Sequence, residues 1–215
     1  PADDVLCAGG SPTDQSEYQY IDDFSIGSDN SKIQFIWTHF YRTINACNTI
    51  TKRVGENPDA TAEMKQMVAE AKALRAFTYL DLVIMFGGVP LFTENPVDPA
   101  DFNKPRASVT DVYTQIEEDL TDAIALLPLK SEYVAADKFR ISKGAAQALL
   151  GKALLYQKKY SEAAAVFSNL IGSGEYGLEP NFSDNWAYTH EFGIESVFEI
   201  SYSSIKGYDW GTFGP

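Results

Sequence analysis

Residues 70–92, EAKALRAFTYLDLVIMFGGVPLF, join a long apolar helix to an abrupt stop, and this pairing constrains the fold more than any other feature. Ala71, Leu74, Phe77, Thr78 and Leu82 recur at helical spacing, and beyond Ala73 the segment is apolar almost all round. Such a helix has no face to give to water, so neighbouring elements must enclose it. Gly87 and Gly88 supply the permissive backbone of a C-terminal cap, and Pro90 prevents a restart. With start signals at Asp59 and Thr61, the helix is predicted to run ~25 residues and ~38 Å.

The 215 residues suffice for a sizeable core in one large domain, or one domain and part of another. A content of 45% hydrophobic and 13% aromatic residues marks a globular chain. The net charge of −13 argues against binding a phosphate backbone, which needs clustered Lys and Arg, so no nucleic-acid partner is expected. No run of ~18 apolar residues is free of charge, so no segment suits a membrane-spanning helix. The chain opens on Pro1 without a basic start or an apolar run, and any targeting segment is expected to be absent from it. Cys7, in DDVLCAGG, lacks the apolar run that precedes a lipid-modified cysteine. Cys7 and Cys47 are expected to be free thiols rather than a disulfide.

Three regions are predicted. Residues 1–30 are rich in Gly, Ser and Asp and read as an irregular surface segment. Residues 31–175 read as a tetratricopeptide-like helical domain, and residues 176–215 as loop and strand leading into a further C-terminal part. In the middle region Ile33, Ile36, Trp37, Phe40, Ile44 and Cys47 trace one helical stripe. After the opening helix and a proline-bearing loop, Ser108 with Asp111 imitates a capping box. The helix that follows carries Val112, Ile116, Leu120, Ala123 and Leu127 inward and ends at Pro128. Further helices are predicted over 142–156 and 161–171. Phe198, Ile200 and Tyr202 alternate with Glu199 and Ser201, which is strand spacing.

Leu150-Gly151 followed by Ala163 and Phe167 keeps the L-G and A-x3-F spacing of a tetratricopeptide repeat, and Leu120, Ala123 and Pro128 match its closing positions. A plain helical hairpin fits the same spacings. The fold class is therefore mainly α, with tetratricopeptide-like helix pairs in an α-α superhelix, irregular loops and a short strand near the C-terminus.

Catalytic motifs are scarce: there is no G-x-S-x-G, H-E-x-x-H, P-loop or C-x-x-C. His39 and His190 have no flanking ligand pattern, so each reads as structural or solvent-facing. Gly172-Ser-Gly174-Glu-Tyr-Gly177 matches the dinucleotide fingerprint, but a helix precedes it where a strand is required, so these glycines end a helix. Asp22-Asp23 and Glu117-Glu118-Asp119 are adjacent carboxylates without the facing arrangement that glycoside hydrolysis demands. Asp98-x-x-Asp101-x-Asn103 lacks the Gly and distal Glu of a calcium loop, so no metal and no cofactor is expected. Lys72, Arg75 and Asp81 within the apolar helix read as internal charge pairs. Asn181-Phe182-Ser183 is a formal glycosylation sequon.

The candidate binding residues are aromatic. Tyr208, Trp210 and Phe213 are spaced by glycines, and Tyr20 shares an early loop with Asp22 and Asp23. Aromatic faces beside carboxylates suit sugar rings, whose CH face stacks while the hydroxyls take the polar groups. Filling gaps beneath loops is the plainer use of the same rings.

Eight stretches, taken in order, resemble the SusD/RagB-like nutrient-binding lipoproteins of the Bacteroidetes outer membrane. They are Trp37-x3-Tyr41-x2-Ile44-x3-Asn48, Glu70-Ala71-x2-Leu74-Arg75-Ala76, Phe86-Gly-Gly-Val-Pro-Leu91 and Arg106-x-Ser108 leading into Asp111-Val-Tyr113-x2-Ile116-x2-Asp119-Leu120. Then come Arg140-x-Ser142-Lys143-Gly144-Ala-Ala146-x-Ala148-Leu-Leu150, Tyr160-x2-Ala163, Gly174-x-Tyr176-x-Leu178 and Glu195-Ser-Val-Phe-Glu-Ile200. The resemblance implies a non-enzymatic lipoprotein at the bacterial outer membrane, facing outward from the cell surface. It implies capture of an oligosaccharide for a TonB-dependent, SusC-like transporter, with no cofactor. Family members are about twice this long, so the chain is expected to be an N-terminal half, without the lipid anchor that would hold it to the membrane. Ligand contacts vary within the family, so none carries over by motif. A helical-repeat adaptor binding a protein or peptide is the alternative function.

Overall fold

The computed structural model of the chain describes residue 11 and residues 13–200. Its α-helices are α1 (Ser16–Asp22), α2 (Ser31–Gly55), α3 (Ala62–Phe86), α4 (Val109–Leu126), α5 (Lys143–Tyr156) and α6 (Tyr160–Gly172), with short 3-10 turns in the connections. Among the described residues no helix is long and apolar enough to cross a membrane. Two compact units divide between Arg42 and Thr43, inside α2.

In the first unit, part of the segment expected to be irregular forms α1. Its Glu17 serves the start of α2: the carboxylate accepts from Ser31 N at 3.2 Å and from the Ser31 hydroxyl. These bonds hold the Glu17 carboxyl below its usual range. Asn30 Oδ1 accepts from Lys32 N and Ile33 N, at 3.0 and 3.2 Å. A side-chain cap and an anion together satisfy the orphan N–H groups of that helix end.

In the second unit α3 packs on α4, α4 on α5 and α5 on α6. Ala69, Ala73 and Ala76 of α3 are buried, and their small side chains let the helices approach closely. Enclosure holds as far as Val83; Ile84 and Met85, in the last turn, are 41% and 46% exposed. The start signal is realised by Thr61, whose Oγ1 accepts from Met64 N at 3.2 Å. The two glycines of the stop serve different ends. Gly87 takes φ +70°, a left-handed value that side chains disfavour. A Cβ on Gly88 would stand 2.2 Å from the Ala107 carbonyl oxygen, so the close approach of two backbones requires glycine there. Ala107 N donates to Val89 O at 2.9 Å and fixes that approach. The Ser108–Asp111 capping box also forms, with Asp in the place usually held by Glu or Gln.

Arg75 lies at the centre of this unit. Its Nε and Nη2 donate to the two Asp119 carboxylate oxygens at 2.7 and 2.6 Å. Nη1 donates to Asn48 Oδ1 at 2.6 Å and to Thr93 O at 2.8 Å. Asn48 Nδ2 and the Tyr79 hydroxyl both donate to Phe92 O, while Phe92 N donates back to Tyr79 Oη. One buried cation thereby joins the second half of α2, α3, α4 and the chain beyond the stop. Lys72 pairs with Asp122 at 2.5 Å, a pair exposed enough to contribute little. Asp81 is half-buried; burial pushes its carboxyl up, and Lys152 acts the other way.

Gly151 of α5 meets Phe167 of α6, where a Cβ would stand 2.5 Å from the ring. Phe198 lies edge-on to Phe77, 6.3 Å between centroids, and residues 198–200 form no strand. Alternation alone does not make a strand without a ladder partner, and Tyr202 lies outside the described residues. Cys47 is buried with a free thiol, and Cys7 also lies outside them.

Two outcomes follow. Asp119→Ala leaves the Arg75 cation buried and unpaired, and denaturant unfolding should show a loss of about 3–5 kcal/mol, most of it recovered in Arg75→Met/Asp119→Leu. Burial pushes the Cys47 thiol up to about 11 and the Tyr79 hydroxyl up to about 12. Both raised values favour the neutral form in the folded chain. Stability should therefore hold below about pH 9 and fall as pH rises toward about 11, with a shallower fall in Cys47→Ala, read from melting temperature against pH.

Candidate functional site

The sequence-predicted binding residues separate into two sets. Tyr20 and Asp22 lie on α1, and Asp23 caps its C-terminus by donating its N–H to Gln19 O at 2.9 Å. Tyr20 is 47% exposed, Asp23 is exposed and Asp22 is half-buried. Lys32 Nζ covers the neighbouring Tyr18 ring at 5.1 Å. Tyr208, Trp210 and Phe213 lie outside the described residues.

The second unit presents a further loop, 175–199. Gly172 closes α6 and Gly174 turns the chain at φ +74°, as expected of glycines that end a helix. Tyr176 then docks on α5, its hydroxyl 3.0 Å from Ser142 Oγ, with its ring in the space that a side chain at Gly144 would fill. Lys130 reaches across from the α4–α5 connection. Its Nζ donates to the carbonyls of Gly193 and Ser196 and stands 5.4 Å from the Tyr176 centroid. Burial lowers the pKa of this ammonium, against the raising influence of Glu199, Glu175 and Glu179.

Within the loop the Glu195 carboxylate accepts from Glu179 N at 2.8 Å and Asn185 Nδ2 at 3.1 Å. These two donors hold that carboxyl below its usual range. Glu199 accepts from Phe192 N at 3.0 Å. Polar bonds thus tie the loop beside the docked Tyr176 and Phe198 rings, and its middle aromatic residues, Phe182 and Trp186, are left facing water.

Phe182 and Trp186, on one short 3-10 turn, are 77% and 80% exposed and meet edge to face at 6.5 Å. Asn181, Asp184 and Asn185 belong to the same stretch. Exposed ring faces beside amides and carboxylates form a surface suited to a saccharide. Sequence reading missed this platform because Asn181-Phe182-Ser183 registered only as a sequon; the nearby Trp in a polar turn was the available signal. A shallow cavity of about 200 Å³ adjoins it, lined by residues that include Glu179, Asn185, His190 and Glu195. Another, of about 490 Å³, lies over the 92–105 loop, where Lys104 Nζ stands 5.3 Å from the Phe92 ring.

The calcium-like Asp98-x-x-Asp101 pattern has a local explanation. Asp98 Oδ1 accepts from Ala100 N at 2.8 Å and Asp101 Oδ2 from Asp98 N at 3.1 Å, so both carboxylates cap a 3-10 turn. A different group converges instead: Glu179, Asp184 and His190, with one ligand atom from each all within 4.8 Å of one another.

The profile of a SusD-like family, described as starch-binding and associating with the outer membrane, matches residues 10–155. SusD-like protein P38 of Formosa agariphila is 31% identical over 146 residues, covering 67% of this chain and 27% of its own length. SusD-like protein P2 of the same organism is 28% identical over 197 residues, covering 87% and 38%. A solved laminarin binding SusD-like protein superposes with TM-score 0.86 at 37% identity, over 94% of this chain and 45% of the other. Surface glycan-binding protein A from Bacteroides thetaiotaomicron, solved in complex with laminarihexaose, gives TM-score 0.79 at 26% identity, over 91% and 40%. The chain spans less than half the length of each of these relatives.

Lys130→Ala should release the loop it ties. Hydrogen exchange at residues 190–197 is expected to accelerate about tenfold or more, with α3 and α4 unchanged, because an opening cost of about 1.4 kcal/mol corresponds to tenfold.

Proposed function

The chain belongs to the SusD-like family, and on that premise we propose that it is part of a cell-surface protein that captures oligosaccharide for a TonB-dependent, SusC-like transporter. The protein is held to the bacterial outer membrane by a lipid anchor, works without a cofactor and does not cleave its ligand. The observation that carries this reading is the 37% identity, along 94% of the chain, to a laminarin binding SusD-like protein. We infer from the same likeness that the ligand is a laminarin-type oligosaccharide. The laminarihexaose complex of a second relative supports that choice.

The helix pairs within residues 31–175 are read as tetratricopeptide-like. Support comes from Gly151 against Phe167, the small-against-large contact that lets two helices of such a repeat approach. They act as the scaffold, while saccharide contacts come from loops. The proposed contacts are Tyr20, Asp22 and Asp23 in the first unit and Tyr208, Trp210 and Phe213 toward the end of the chain. The exposed Phe182–Trp186 pair is added to them.

Calorimetry of the protein with laminarihexaose tests the proposal. Affinity in the micromolar range or weaker is expected, falling about tenfold (about 1.4 kcal/mol) in a variant that removes a stacking ring, such as Trp186→Ala, Trp210→Ala or Tyr20→Ala. Unchanged affinity in all three would remove the proposed contacts. Absence of binding to laminarihexaose and to every other glycan on an array would sink the capture role, and release of shorter products would replace it with an enzyme.

A further inference from the structure

We propose that Glu179, Asp184 and His190 form a binding site for a divalent transition-metal ion of the zinc type. One carboxylate oxygen from each acid and one imidazole nitrogen lie within 4.8 Å of one another. An ion bound at about 2.0–2.2 Å holds its ligand atoms roughly 3.0–3.6 Å apart, so closing the site takes side-chain movements of about an ångström.

Glu179 is the informative member. Its side chain is only 9% exposed, yet its carboxylate accepts no hydrogen bond among the described residues. The nearest basic side chain is His190, its Nδ1 at 3.8 Å, too far for a hydrogen bond and itself a member of the group. Its stem is enclosed while its oxygens still reach water, so the carboxylate is held in place and open to an incoming cation. Its position is also deliberate in the backbone: a Cβ on Gly193 would stand 2.6 Å from Glu179 Oε1 and 2.8 Å from His190 O.

The supporting contacts point the same way. Asn181 Nδ2 donates to Asp184 Oδ2 at 3.1 Å and orients that carboxylate. Glu195 holds the Glu179 backbone N–H at 2.8 Å. Such outer partners fix the direction of ligating groups. Residues 175–199 include Glu175, Glu179, Asp184, Glu191, Glu195 and Glu199 and contain no Lys or Arg; with the Lys130 ammonium seated on the Gly193 and Ser196 carbonyls counted, acidic groups still outnumber basic ones there. His190 is 40% exposed in its side chain, which leaves an entry path and room for water ligands.

The donor set selects the class of ion. An imidazole with two carboxylates suits zinc and its neighbours, whereas calcium prefers an all-oxygen shell of six or more ligands. Two carboxylates neutralise the dication, and a further position remains for water. The bound ion would cross-link the two ends of the segment 179–190, which carries Phe182 and Trp186, whether or not that platform meets a glycan.

The test is titration of the metal-stripped full chain with zinc chloride against a chromogenic chelator, without saccharide. One equivalent should bind and persist in excess calcium chloride, weakening about tenfold or more in Glu179→Gln and in His190→Ala but not in His39→Ala. In the unsubstituted chain, zinc should slow hydrogen exchange across 179–196 and leave α3 and α4 unchanged. Failure to bind one equivalent, equal binding in both site variants, displacement by calcium, or no slowing of exchange would each overturn the assignment.

Discussion

The guanidinium of Arg75 is the interaction on which the second unit depends. Both the cation and its Asp119 partner are almost fully withdrawn from water, at 4% and 2% side-chain exposure. Such burial is tolerated only when the charges are paired and the remaining donors satisfied. Asp119 meets Arg75 with two parallel bonds, and Asn48 and the Thr93 carbonyl take Nη1. Burial alone would lower the Arg75 pKa, but the bonds and charge of Asp119 more than offset it. The planar fork has a fixed geometry, so it specifies where the second half of α2, α4 and the 91–93 chain lie around α3. Apolar packing provides most of the stabilisation, but it would accept small shifts of one helix along another. The buried fork does not.

A second polar cluster extends the same logic. Glu70, one turn before Arg75 in the same apolar helix, pairs with Arg140 at 2.9 Å and accepts from the Tyr133 hydroxyl at 3.2 Å. It ties the α4–α5 connection to α3, and from that connection Lys130 reaches out to hold the 193–196 carbonyls. Rigidity therefore passes from core to loop through charge-assisted bonds. With these bonds and the docked Tyr176 and Phe198 rings holding its two ends, the loop keeps Phe182 and Trp186 exposed between them.

The sequence legibility of this chain follows the range of the forces involved. Helix limits depend on nearest neighbours: Thr61, Gly87 and the Ser108–Asp111 pair all act within a turn of the helix ends they set, and their effects are readable from spacing. Internal pairing of Arg75 was legible because an apolar helix allows a charge little else, whereas Lys72 pairs at the surface and the identity of neither partner was readable. The alternating pattern at 198–200 shows the limit of such reading, since a strand exists only through a partner. Likewise Phe182, Trp186 and the Glu179–Asp184–His190 group carry no periodic signature. Their relation depends on how one loop folds back on itself.

The sequence by itself determined the helices from α2 to α6 but not α1, together with their stops, the mainly helical class and, through its ordered motifs, the family. Those properties rest on local backbone preferences and hydrophobic spacing, which are written residue by residue. Only the tertiary structure decided which carboxylate answers Arg75, that Gly88 is required by the Ala107 carbonyl and not by its own dihedral angles, and that Glu179 converges with Asp184 and His190. Each of these depends on atoms distant in the chain brought within a few ångströms, and no spacing rule encodes such a distance.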